Sequence, residues 1–200
     1  GVKVSRLAAL AADRGLSGLE FAEGIPGSLG GAVYMNAGAY GGEMSQIIKE
    51  VTVISESGEI TVLEKPALEF GYRTSSIQKK GYIVLAAKLV LHPDEPQLIW
   101  QRMDELSRQR REKQPLEYPS AGSVFKRPPG RFVGPMIDEL GLKGYRVGDA
   151  EVSTKHAGFI VNRGRAAARD VLELVSLIKR RVKDAYGIER ETEFRIVGED

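Results

Sequence analysis

The sequence contains no cysteine, which excludes disulfides, thiolate nucleophiles and zinc sites of the Cys type. Histidine is nearly as scarce. His92 and His156 are the only two, so a multi-histidine metal centre is not expected. No apolar run reaches the eighteen or so residues of a membrane-spanning helix. The opening Gly1-Val2-Lys3-Val4 lacks the layout of a secretion signal. Charge of one sign is also missing in bulk, with 29 Lys and Arg against 27 Asp and Glu. That balance does not give the basic face of a general nucleic-acid binder. The densest cluster, Arg108, Arg110, Arg111 and Lys113, reads as the solvated end of a helix. What is present, 42% apolar and 28% charged residues over 200 positions, suits a soluble globular protein with one large or two small cores. A soluble cytoplasmic protein is the expectation, with no nucleic-acid or membrane partner.

Leu7, Leu10, Ala11 and Arg14 follow helical spacing, with Gly15 as a stop. A glycine-dense tract follows, from Gly24 to Gly42. Val51–Ile54 and Ile60–Leu63, joined by a Ser57-Gly58 turn, predict a β-hairpin, and Tyr82–Leu91 is a further β-rich run. Pro93-Asp94-Glu95-Pro96 marks a domain boundary and the start of a helix running to about Lys113. That helix is expected to bury Leu98, Ile99, Met103 and Leu106 and to stop at Pro115. Beyond it the pattern predicts a short helix near Pro135–Leu140 and a strand through His156–Val161. A long amphipathic helix carrying Val171, Leu172, Val175, Ile178, Val182 and Tyr186 ends at Gly187, and a last strand spans Glu193–Val197. The fold class is α+β. The division is 1–93, then 94–190, with 191–200 as a terminal strand returning toward the first domain.

Five groups could carry chemistry. The glycine tract has the spacing G-x-x-G-x-x-G-G over Gly24–Gly31, neither a dinucleotide fingerprint nor a P-loop. Its glycines let backbone approach a ligand closely, a helix starting near Pro26 would add its positive end, and Asn36 to Gly41 suits a flat ring. Tight turn packing is the plain alternative. Arg73 follows Tyr72 and gains interest only if its planar fork lines a cleft, where it could hold a carboxylate. Ser123 lacks the G-x-S-x-G elbow, so it is no hydrolase nucleophile; alone it reads as a strand-start hydroxyl. Lys143, Lys155 and His156 are either phosphate-binding cations or loop residues. Alternation places Glu193 and Arg195 on one strand face, ordinarily a surface ion pair.

Together and in order, these tracts resemble the UDP-N-acetylenolpyruvoylglucosamine reductase (UDP-N-acetylmuramate dehydrogenase) family, from about Gly15 to Asp200. The most specific stretches are Gly18–Gly41, Tyr72–Ser75, Ala121–Lys126, Gly141–Gly144, Val152–Phe159 and Glu193–Gly198. The resemblance implies part of an FAD-binding domain of the vanillyl-alcohol-oxidase (PCMH) type, followed by an α+β substrate-binding domain. It implies that NADPH reduces bound FAD and that flavin N5 passes hydride to C3 of a UDP-N-acetylglucosamine enolpyruvate. The product is the UDP-N-acetylmuramate of peptidoglycan precursor synthesis. It assigns Arg73 and a protonated Glu193 to the substrate carboxylate and Ser123 to protonation of C2. Gly24, Ile25, Gly27, Gly30, Gly31, Asn36, Ala37, Gly38 and Gly41 become neighbours of FAD. Lys143 and His156 fall near the diphosphate and sugar of the nucleotide-sugar substrate, with Lys126 and Arg195 as further contacts.

Arg127 stands where some members have Asn, and no contact is carried over to it. The short passage from Arg73 to Tyr82 matches the family's compact branch. Members carry about a hundred residues, a domain-sized piece, ahead of the point where this chain opens. The expectation is therefore that this chain by itself binds FAD weakly or not at all and is inactive. Rival readings are another flavin oxidoreductase of the same fold and a nucleotide-sugar-binding module without catalysis.

Overall fold

A computed structural model describes residues 1–126, 132–189 and 191–198. The chain forms two compact units, Gly1–Arg110 and Arg111–Asp200, each mixing helices with antiparallel sheet. Arg127 lies outside the described residues.

In the first unit, α1 (Val4–Asp13) buries Val4, Ala8, Ala11 and Ala12 and gives way to Gly15 at φ +65°. A short β1 (Leu16–Ser17) leads into the glycine tract. α2 (Leu29–Tyr34) is only six residues long, and its Ser28 cap accepts from Gly31 N. The tract therefore does not turn helical at Pro26. Gly27 sits at φ +120°, outside the helical region, so the helix begins only after it. A hairpin follows, β2 (Gly38–Ala39) against β3 (Gly42–Glu43). Tyr40 and Gly41 form its turn, both at positive φ, as a two-residue loop of this twist demands. After α3 (Met44–Ile47), strands β4 (Ile48–Ile54) and β5 (Ile60–Glu64) form the expected hairpin. With α4 (Ser76–Lys79) and β6 (Ile83–Leu89) in place, the sheet order is β5-β4-β6, all antiparallel. β4 turns Val51 and Val53 into the core, where they join Val33, Met44, Leu68 and Ile77.

β7 (His92–Pro93) pairs with β1 and precedes α5 (Pro96–Lys113). The boundary read near Asp94 and the division of the structure at Arg110 differ by nearly the whole of this helix. The reason is its buried face: Ile99 and Met103 belong to the first unit's core. Arg102 reinforces this by bridging Glu20 and Asp94. Leu98 was expected in that face but is 42% exposed. It stands one residue before Ile99, about 100° around the helix.

The second unit is built on β8 (Ser120–Ser123), β9 (Arg146–Val147), β10 (Ala150–Val152) and β11 (Phe159–Asn162), in the order β8-β11-β10-β9. α6 (Val133–Glu139) and α7 (Ala168–Tyr186) complete it. α7 buries Leu174, Val175, Ile178 and Val182; each fully buried aliphatic side chain is worth roughly 1.5–3 kcal/mol against exposure. His156 precedes β11 in a turn instead of opening the strand, with Phe159 N donating to its carbonyl at 3.0 Å. The expected strand Glu193–Val197 does not form. Residues 191–193 pair with the segment Val124–Lys126, Phe194 packs against the second core, and Ile196 and Val197 are exposed. Alternation needs a neighbouring strand to become a sheet face, and none among the described residues stands beside Arg195–Val197.

Candidate active site

In the first unit the glycine tract is tied to the start of α1 by Val4 N donating to the Gly27 carbonyl at 3.1 Å and Leu29 N donating to the Val2 carbonyl at 2.9 Å. Some of its glycines answer to protein packing. A Cβ on Gly38 would stand 2.6 Å from the Gly42 carbonyl oxygen, one on Gly42 would stand 2.6 Å from Phe21, and one on Gly24 would stand 3.0 Å from Arg110 Cδ. Others do not. Nothing lies within 4 Å of where a Cβ would stand on Gly27 or Gly41, and Gly27, Gly31 and Gly41 are exposed. Bare backbone facing open space is what a ligand lying against the tract requires, so these residues fit the flavin site that the resemblance implies. Ile25 and Ala37 pack against the core beneath the tract, while Gly30 lies in α2 against Val84.

Arg73 also belongs to the first unit. It sits at φ +55° in a tight turn closed by Gly71 and Thr74, which bond to each other in both directions at 3.1 and 3.3 Å. Its Nη2 donates to the Gly38 carbonyl at 3.0 Å, fixing the fork beside the glycine tract. The basic cluster on α5 is solvated only in part. Arg108 pairs with Glu105 at the surface, but Arg110 turns inward to donate to the Glu23 carbonyl at 3.2 Å.

In the second unit the structure gathers Ser123, His156 and the backbone of Glu193. Ser123 ends β8 opposite Phe159. The next residue, Val124, donates to the Gly158 carbonyl at 2.9 Å and accepts from Glu193 N at 2.8 Å. Lys126 extends the same pairing through its backbone bond to Glu191 at 3.0 Å, and its Nζ meets the Glu191 carboxylate at 2.8 Å. Arg195 is exposed, and Glu193 is half-buried.

His156 is held from several sides. Its backbone N–H donates to Ser153 Oγ, its Nδ1 accepts from Gly158 N at 3.1 Å, and its ring meets Phe159 edge to face at 5.0 Å. Gly158 and Gly134 make room for the ring: a Cβ there would stand 3.0 and 3.2 Å from Cε1. Burial lowers the pKa of His156 below its ordinary 6.5, helped by the nearby Lys143 cation. The ring is therefore neutral at neutral pH, and because Nδ1 accepts, the proton sits on Nε2. His156, Lys143, Lys155, Asp138, Gly134 and Pro135 line a cleft of about 500 Å³. Lys143 is steadied there by Asp138 at 2.6 Å, and Lys155 by the Arg111 carbonyl at 2.6 Å. The Asp138 and Glu139 carboxylates line the same cleft, so its two ammonium groups and neutral N–H donor suit a polar ligand that offers both donors and acceptors. Gly158 falls in the Val152–Phe159 stretch that carries the resemblance, but its part in seating His156, like that of Gly134, was not read from the sequence.

Residues 1–64 match the family described as FAD binding domain. Residues 114–197 match the C-terminal domain of UDP-N-acetylenolpyruvoylglucosamine reductase. The reductase of that name from Syntrophomonas wolfei is 56% identical over 200 residues, covering all of this chain and 67% of that protein. The chain belongs to the UDP-N-acetylenolpyruvoylglucosamine reductase family. The Clostridium tetani member is 54% identical, over 65% of its own length. A crystal structure of the Thermus caldophilus reductase superposes with a TM-score of 0.84 at 44% identity, covering 96% of this chain and 69% of that one. The chain thus spans about two thirds of the length of these relatives. Within the family frame, the flavin-domain match takes in the whole glycine tract. The C-terminal match takes in Ser123, Lys126, Lys143, His156, Glu193 and Arg195, and Arg73 falls between the two. Among the described residues no group of three or more acidic or histidine side chains is placed to hold a metal, and no helix is long and apolar enough to cross a membrane.

Proposed function

We propose that the protein to which this chain belongs reduces UDP-N-acetylglucosamine enolpyruvate to UDP-N-acetylmuramate, with NADPH as reductant and FAD as carrier, in the cytoplasmic synthesis of peptidoglycan precursors. The observation that supports the reading is the meeting of the strand ending at Ser123 with Gly158, which seats His156, and with the backbone of Glu193 at Val124. FAD, when bound and reduced, would supply the hydride for C3 of the enolpyruvyl ether. As that bond forms, the C2–C3 π pair moves onto C2 and the adjoining carboxylate, so negative charge develops there. Donors fixed in advance stabilise such charge most effectively. Arg73 offers a guanidinium fork, and Glu193 in its acid form offers an O–H donor. Ser123 Oγ delivers the proton to C2. A hydroxyl is a weak acid, but an enolate carbon is basic enough to take its proton when the two are held in contact. His156 Nε2–H, Lys143 and Lys155 receive the diphosphate and sugar in the cleft.

The test is the Ser123→Ala enzyme, full-length, followed one half-reaction at a time. Oxidation of NADPH should proceed at nearly its normal rate, while turnover of the enolpyruvyl substrate falls by about 10²–10⁴-fold, the usual scale of a lost acid. Equal losses in both halves would remove the acid from this residue.

A further inference from the structure

We infer that Asn36 is a positioning residue for Arg73: its side-chain amide clamps the turn that aims the guanidinium. The inference rests on the proposed role of Arg73 and deepens it.

Asn36 lies in the glycine tract, but at 1% exposure its side chain turns into the protein and not toward the flavin that the resemblance set beside it. Its Nδ2 donates to the Gly71 carbonyl at 3.0 Å, and its Oδ1 accepts from Ser45 N at 2.9 Å. One partner is an acceptor and the other a donor, so the network fixes the orientation of the amide. No other side chain of similar size offers both functions here: Asp lacks the donor, and Leu lacks both. The backbone agrees, because Asn36 sits at φ +43°, a left-handed conformation that Asn tolerates better than most residues.

Gly71 opens the turn that carries Arg73, so the Asn36 amide holds its first residue. Just beyond the turn, buried Ser75 donates its hydroxyl to the Tyr34 carbonyl at 2.8 Å. Between them Arg73 reaches Gly38. Three bonds therefore lace residues 71–75 onto residues 34–38. The lacing has something to hold, since Arg73 at φ +55° is in a left-handed conformation that strains a non-glycine residue. A turn kept in that state by its neighbours relaxes when one of them is removed. The fork then moves, and misplacement by about 1 Å can cost 10²-fold in rate.

The experiment is a double-mutant cycle in the full-length holoenzyme, with Asn36→Asp and Arg73→Lys. Asp keeps the acceptor for Ser45 N and tolerates the backbone, but it sets a carboxylate against the Gly71 carbonyl. Asn36→Asp should keep its flavin absorbance and slow substrate reduction by about 10- to 100-fold. The double variant should be no slower than Arg73→Lys alone, because residues acting through one another are not additive. Losses that multiply, or loss of bound flavin in Asn36→Asp, would overturn the inference. If Asn36→Asp does not fold, Ser75→Ala, which cuts the other anchor of the turn, enters the same cycle with the same two outcomes. Should Arg73→Lys itself leave substrate reduction unchanged, the proposed role of Arg73 fails. Should it be slow while Asn36→Asp is unaffected, only the positioning fails.

Discussion

The backbone N–H of Glu193 donates to the carbonyl of Val124 at 2.8 Å, which ties the last described segment of the chain to the residue following Ser123. Two candidate residues far apart in sequence thereby have their backbones held together by one bond. The segment is laced further by the Lys126–Glu191 backbone bond and the Phe125–Thr192 bridge.

If Glu193 serves as a proton-bearing donor, its replacements should rank by their ability to donate. Glu193→Gln, which keeps an N–H donor, is expected to retain more turnover than Glu193→Ala, by about tenfold on the scale of one hydrogen bond to a charged group. Steady-state kcat of the two full-length variants decides it, and equal values would deny the donor.

The lowered pKa of His156 makes a signed prediction. Above about 6.5 the imidazole is neutral whether the chain is folded or not, and its contribution to stability is complete. As the pH falls below 6.5 the unfolded chain binds the proton first, so stability is lost on the way down to the folded value. His156→Gln should flatten that part of the profile of unfolding midpoint against pH. The His156 ring resonance, identified by its absence in the same variant, should titrate below 6.5; titration above it would contradict the burial argument.

Gly158→Ala tests the seat of His156. The added Cβ would stand 3.0 Å from Cε1 and 3.1 Å from Nδ1, so the ring must shift by a few tenths of an ångström. The expected result is a KM for the nucleotide-sugar raised by about tenfold with kcat less affected. An unchanged KM would remove His156 from substrate contact.

Two alanine substitutions in the glycine tract should act in opposite directions. Gly42→Ala drives a Cβ to within 2.6 Å of Phe21, a buried ring with no room to retreat, and is expected to cost about 1–3 kcal/mol. Gly31→Ala lies inside α2 with Ser28 Oγ at 3.6 Å as its near neighbour, and in the flavin-free protein should be neutral or stabilise by up to about 1 kcal/mol. Denaturant midpoints of the full-length variants give the comparison.

Much of the fold was legible because helices and hairpins write themselves in short periods. α1 with Gly15, the β4–β5 hairpin and the extent of α7 follow from spacing, although the buried face of α7 takes in Leu174 and leaves out Leu172. Spacing misled where the partner was remote. Leu98 and Ile99 are equally apolar, yet only contact with the first core separates the buried one from the exposed one. The Glu193–Val197 alternation reads as a strand, but a strand needs a neighbour along its whole length, and among the described residues no strand pairs with Arg195–Val197.

The candidate site divides in the same way. Sequence alone determined the ordered set of tracts that marks the family and the α+β class, and it named the residue types that the proposed reaction requires. Those are properties of local order and chemical identity, and the chain carries them unfolded. Tertiary structure alone decided that Gly158 and Gly134 seat His156 and that Asn36 reaches Gly71. It also decided that α5 gives Ile99 and Met103 to the first core. Each of these is a contact between residues on different turns or different elements. Its energy depends on distances of a few ångströms, and those are set only when every intervening segment has taken its place.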